Sequence, residues 1–122
     1  MIIRQTDSGA CEPVEMDGVR GVSMRVMVGR EDGAPNFAMR HFSLQPGGHT
    51  PLHHHDYEHQ LVILSGRGEA CDRGTMHPIK GGDVLFVSAN DEHQFRNTGD
   101  VPLEFLCLVP LHGGCGTPVP GS

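Results

Sequence analysis

Glycine and proline interrupt this chain so often that no long helix can form, and this limits the fold more than any other feature. The 122 residues include 17 glycines and 9 prolines. Proline removes a backbone donor and glycine raises the entropic cost of regular structure, so both act as punctuation. Between the interruptions lie short runs rich in β-branched, aromatic and aliphatic residues, at 22–28, 37–44, 59–64, 84–87, 93–96 and 103–109. Turn chemistry bounds them: Gly33-Ala34-Pro35, Pro46-Gly47-Gly48, Gly66-Arg67-Gly68, Lys80-Gly81-Gly82-Asp83 and Asn97-Thr98-Gly99-Asp100. Short strands at close spacing with glycine-rich turns predict an all-β sandwich or barrel.

A chain of this length supports one core rather than two. We expect a single domain over residues 1–112, followed by a loosely held Gly/Pro tail at 113–122. Residues 1–20 are expected to supply an edge strand, paired within the barrel or exchanged with a partner chain. The net charge of -6 and the lack of a basic cluster argue against nucleic-acid or anionic-membrane partners. The longest apolar runs, such as Phe105-Leu106-Cys107-Leu108-Val109, are too short to span a bilayer. The first residues show no signal-peptide pattern, so a cytoplasmic location is expected. Cys11, Cys71, Cys107 and Cys115 have no metal-knuckle or disulfide-ladder spacing and read as free thiols.

Chemistry is concentrated in His53-His54-His55-Asp56-Tyr57-Glu58-His59, with His93 some thirty residues on. On a strand, successive side chains face opposite ways, so His53 and His55 share a face and His54 points away. His59 comes after a turn-length gap, and His93 closes the set from another strand. Four neutral imidazoles around one point suit a divalent transition metal. A structural zinc site would be closed and usually cysteine-rich. Four neutral ligands leave the ion its full charge and, in a six-coordinate site, two open positions. That combination favours anionic oxygen donors and redox or Lewis-acid chemistry. Metal loss is expected as pH falls through the ordinary histidine range, near about 6.5. His41, His49, His54, His77 and His112 read as solvated or hydrogen-bonded residues outside the site.

The spacing Gly47-x5-His53-x-His55-x3-His59-x6-Gly66 resembles the first cupin motif, with histidine where most cupins carry glutamate. Gly82-x5-Ser88-x-Asn90-x2-His93-x3-Asn97 resembles the second motif, with Ser88 and Asn90 replacing its proline and glycine. Glu58 falls one residue early and would point away, leaving it at most a supporting role behind the ligands. With segments such as Ala34-Pro35-Asn36-Phe37, Met39-Arg40, Phe95-Arg96-Asn97 and Glu104-Phe105-Leu106-Cys107-Leu108, the chain resembles small single-domain bacterial cupins with a four-histidine manganese site. That resemblance implies a cupin jelly-roll β-barrel (a double-stranded β-helix) and a homodimer. It also implies one manganese or iron ion per chain, held by His53, His55, His59 and His93, with nickel, copper and zinc as other candidates. Oxidative cleavage of a carbon–carbon double bond is the reaction the resemblance implies.

Around this centre, parity on the last strand puts Phe105 and Cys107 on one face, and Phe95 shares a face with His93. Phe95, Phe105 and Cys107 are candidate pocket residues. Arg40 is a candidate anion-binding residue, set against its reading as a solvated strand cation. No residue stands out as a dedicated general base, so no catalytic residue is assigned beyond the metal centre. The leading expectation is a metal-dependent oxidoreductase of the dioxygenase type acting on a small organic substrate. The rivals are a non-oxidative isomerase or lyase, and a small-molecule-binding or sensor domain without turnover.

Overall fold

A computed structural model describes residues 1–111. His112, Cys115 and the predicted tail at 113–122 lie outside the described residues. The strands are β1 (Glu12–Pro13), β2 (Arg20–Val28), β3 (Phe37–His49), β4 (His59–Ser65), β5 (Arg67–Asp72), β6 (Thr75–Lys80), β7 (Val84–Val87), β8 (His93–Asn97) and β9 (Leu103–Pro110). One helical turn, Arg30–Asp32, links β2 to β3. The strands form a nine-stranded sheet in the order β6-β5-β8-β3-β9-β4-β7, with β2 on β3 and β1 on β2. Every named strand pairing is antiparallel. Most neighbours are distant in sequence, so the sheet curls over itself as a jelly roll rather than running as a meander.

Strand parity builds the core. In β9, Leu103, Phe105, Cys107 and Val109 are buried and alternate with half-buried Glu104, Leu106, Leu108 and Pro110. In β4 the same rule buries His59, Leu61 and Ile63. Phe105 stacks on Phe42 at 5.2 Å between ring centroids and meets Phe95 at 5.4 Å. Burying each such ring stabilises the fold by about 2–3 kcal/mol. This aromatic layer carries β3, β8 and β9, and the candidate site lies beside it.

The hairpin of β5 and β6 departs from the sequence expectation, which reads Gly66-Arg67-Gly68 as a turn and assigns no element to 69–79. Arg67–Asp72 is polar and poor in β-formers, so pairing rather than propensity makes it a strand. It is zipped to β8 from Gly68↔Asn97 to Asp72↔His93. Gly68 is required there, because a Cβ would fall on the Arg96 carbonyl oxygen. Pro78 is tolerated because β6 is an edge strand. At the N-terminus, β1 pairs with β2 of the same chain.

Candidate metal centre

The segment carrying the first histidines is not a regular strand, and a bend at Asp56 and Tyr57 precedes the start of β4 at His59, in the place of the expected turn. Between β3 and β4 only His53 takes part in a β-bridge, opposite His93. The alternation nevertheless holds: His54, Asp56 and Glu58 are exposed, His53 and His55 are half-buried, and Tyr57 and His59 are buried. Backbone bonds to β8 anchor the segment at His53, ahead of the bend at Asp56 and Tyr57. The His53 N–H donates to the His93 carbonyl at 3.2 Å, and the His93 N–H donates back at 2.9 Å. Thr50 adds a second clamp, accepting the Phe95 N–H on its Oγ1 at 2.8 Å.

The far side is fixed by a left-handed residue. Asn90 is left-handed with φ 68°, the conformation a glycine would take most easily, and asparagine is among the residues that tolerate it. Its N–H donates to the His55 carbonyl at 2.6 Å. Asn97, at the end of β8, donates to the Leu44 and Val101 carbonyls and accepts the Gly99 N–H, each at 2.8 Å. The two motifs are thus tied together by main chain before any ligand is considered.

These constraints bring the four predicted histidines together. His53, His55 and His93 each offer a ring nitrogen within 4.8 Å of the others. His59 flanks them, its ring centroid 4.7 Å from His55 and 5.1 Å from His93. The Nδ1–H of His53 donates to the Pro51 carbonyl at 2.8 Å, and that of His93 to the Asp91 carbonyl at 2.9 Å. A neutral ring that donates from Nδ1 keeps a lone pair on Nε2. Nε2 of His53 and Nε2 of His55 lie 2.9 Å apart. An ion with bonds of about 2.1 Å at right angles would set two nitrogens about 3.0 Å apart. The Nε2 atoms of His59 and His93 are buried and have no hydrogen-bond partner within the protein. Orphaned buried nitrogens are costly, and the three converging imidazoles of His53, His55 and His93 could hold a first-row divalent metal, with His59 beside them.

The electrostatics keep the rings neutral. Burial, then the neighbouring imidazoles, pushes His55 down to about 3 and His59 to about 2. Burial also lowers His53 and His93 below the usual histidine range. In the metal-free protein protons therefore compete poorly for these nitrogens, and metal release is expected below the ordinary histidine range.

The flanking residues depart more from expectation. Arg40 is not a solvated strand cation but is fully buried, its guanidinium carbon 5.1 Å above the centre of the Phe42 ring. Its Nη2 donates to the Cys107 sulfur at 3.4 Å, and the same sulfur lies 3.4 Å from Nδ1 of His59. Phe95 and His93 reach a cavity of about 300 Å³ whose other walls include Ala70, Ile79, Leu85 and Val87. Phe105 packs in the core, one ring further in. His41 is buried against Glu104, Nε2 to Oε1 3.0 Å, which corrects any reading of it as surface. His54 and His77 are exposed, and His49 is half-buried with Nδ1 3.2 Å from the Thr50 carbonyl. Sequence reasoning missed Tyr57, whose ring stacks parallel on His55 at 4.7 Å. Extending the 53, 55, 59 parity through 57 would have found it.

Comparison with known proteins agrees with this architecture. Residues 40–109 match the family model described as cupin domain. The chain is 34% identical over 116 residues to an oxalate-binding protein of Thermotoga maritima, covering 91% of this chain and 94% of that one. It is 37% identical over 71 residues to a 1-methylthio-D-xylulose 5-phosphate methylsulfurylase of Rhodospirillum rubrum, covering 58% of this chain and 46% of that enzyme. Among solved structures, a polyketide cyclase of Streptomyces resistomycificus superposes with a TM-score of 0.86 at 24% identity, over 92% of this chain and 80% of its own, which speaks to fold alone.

Proposed function

Since this chain belongs to the cupin family, we propose that it is a metal-dependent oxidoreductase of the dioxygenase type acting on a small organic molecule. One divalent ion, manganese or iron, would be held by His53, His55, His59 and His93. The observation that carries this reading is the convergence of neutral imidazoles, with the buried Nε2 atoms of His59 and His93 lacking any partner within the protein. When bound, such an ion supplies Lewis acidity and one-electron redox chemistry.

The protein's own residues would supply the rest. Tyr57 and the hydrogen bonds to Pro51 and Asp91 hold the rings in place. Phe95, Ile79, Leu85 and Val87 give the 300 Å³ cavity beside His93 apolar walls suited to a substrate's hydrocarbon part. At the rim, Arg73 lies 3.1 Å from Asp72 and 3.9 Å from Asp91, so its charge is already engaged. Among the described residues no aspartate, glutamate or lysine is buried. The cavity beside His93 is also lined by Asp72, Asp91 and His77, the groups on which a proton-shuttling isomerisation would draw for a base.

A second reading has a specific observation behind it. The buried Arg40 acts electrostatically on His53, His55 and His59, so its positive charge would add to that of the ion. A compact anion would be favoured there, in line with the name of the oxalate-binding relative. The two readings separate in one experiment. Manganese-loaded protein is given a styrene-like alkene with peroxide and, separately, oxalate by calorimetry. Alkene turnover that disappears in His59→Ala supports the oxidoreductase. Tight oxalate binding without turnover of either compound supports the binding domain.

A further inference from the structure

One buried chain of polar contacts runs behind the candidate centre: the Arg40 guanidinium, the Cys107 sulfur and Nδ1 of His59, with both steps at 3.4 Å. Arg40 and Cys107 are direct cross-strand partners on β3 and β9, and Cys107 is also paired with Leu61 on β4, two residues from His59. All three residues are essentially inaccessible to solvent. His53 and His93 have carbonyl acceptors for their Nδ1–H groups. For His59 the atom in that place is sulfur.

We infer that Cys107, held by Arg40, is the acceptor that fixes His59 in its Nδ1–H tautomer and aims its Nε2 lone pair into the site. The direction follows from the donor set together with the pattern of the other ligands, whose Nδ1–H groups donate and leave Nε2 free. A guanidinium can only donate, so Arg40 uses the sulfur as an acceptor. If the thiol proton instead went to Nδ1 of His59, the ring proton would sit on Nε2. That nitrogen is buried with no acceptor in reach, so an N–H there would be an orphan. With the ring proton on Nδ1 directed at sulfur, Nε2 keeps the lone pair that an ion would take, the state in which His59 matches His53 and His93. Cys107 and Arg40 are thus positioning residues, serving His59 as a carboxylate or carbonyl commonly serves a metal-binding histidine.

This role rests on the metal-site reading above, but the test separates the two. Long-range proton–nitrogen correlation spectra of the metal-free, nitrogen-15-labelled chain report the tautomer of each imidazole, and His59→Gln identifies the His59 signals. Manganese(II) titration then gives the affinity. In the wild type, His59 is expected in the Nδ1–H form. Cys107→Ala is expected to shift it toward Nε2–H and to weaken manganese binding roughly ten- to hundredfold. Cys107→Ser, which keeps an acceptor, is expected to restore both. An Nε2–H tautomer in the wild type overturns the inference without any variant being needed. So does a folded Cys107→Ala that keeps either the wild-type tautomer or the wild-type affinity. Failure of the wild type to bind manganese would remove the metal-site reading, while the spectra would still decide the role of Cys107 in setting the tautomer.

Discussion

Nε2 of His59 and Nε2 of His93 are buried nitrogens with no partner among the protein's own groups. A metal ligand role accounts for both, and single substitutions separate the four proposed ligands from the bystander. Alanine at His53, His55, His59 or His93 is expected to lower manganese affinity by at least tenfold, measured by competition titration. His54→Ala, whose side chain is exposed, is expected to leave it unchanged. Acid stability carries the same information. Burial depresses His59 to about 2, while an unfolded chain would titrate it near about 6.5. Below that value the unfolded state binds more protons than the folded state, so the metal-free protein loses stability as pH falls toward the folded value. His59 alone contributes a slope of up to about 1.4 kcal/mol per pH unit over that window. Urea unfolding between pH 7 and 4.5 should show a shallower dependence in His59→Gln than in the wild type. Equal slopes would mean that His59 is not held neutral by burial.

At the scale of elements, the left-handed turn at Asn90 and the close approach at Gly68 position the ligands through backbone alone. Asn90→Gly is expected to be nearly neutral in denaturant melts, whereas Asn90→Val should cost about 1–3 kcal/mol, because a β-branched residue does not accept φ 68°. Gly68→Ala should cost roughly 1–3 kcal/mol, as its Cβ meets the Arg96 carbonyl. A Gly68→Ala protein of unchanged midpoint would contradict the packing of β5 against β8. These elements also mark what the sequence could reveal. Alternating burial in β9 and β4 follows from apolar patterning, so those strands and the inward side of the histidine run were readable. The β5–β6 hairpin was not, because its residues are polar and its pairing is imposed by β8. Arg40 misled for a related reason: a charged residue on a strand reads as solvated, and only the fold reveals Cys107 and the Phe42 ring around it.

For the whole molecule, the curled antiparallel sheet explains how residues 53–59 and 93 meet, with His59 opening β4, His93 opening β8 and His53 on the segment between β3 and β4. The β-bridge between His53 and His93 converts sequence distance into contact. We propose that the chain forms a homodimer, so sedimentation should give twice the 13.2 kDa chain mass. Sedimentation at the monomer mass would remove it. The central claim, that four histidines hold a redox-capable ion, is tested most directly by metal analysis of protein purified without a histidine tag. The account predicts about one manganese or iron per chain, with spectroscopy showing four imidazole ligands and exchangeable positions. Zinc with every coordination position filled by protein, or no retained metal at all, would contradict it.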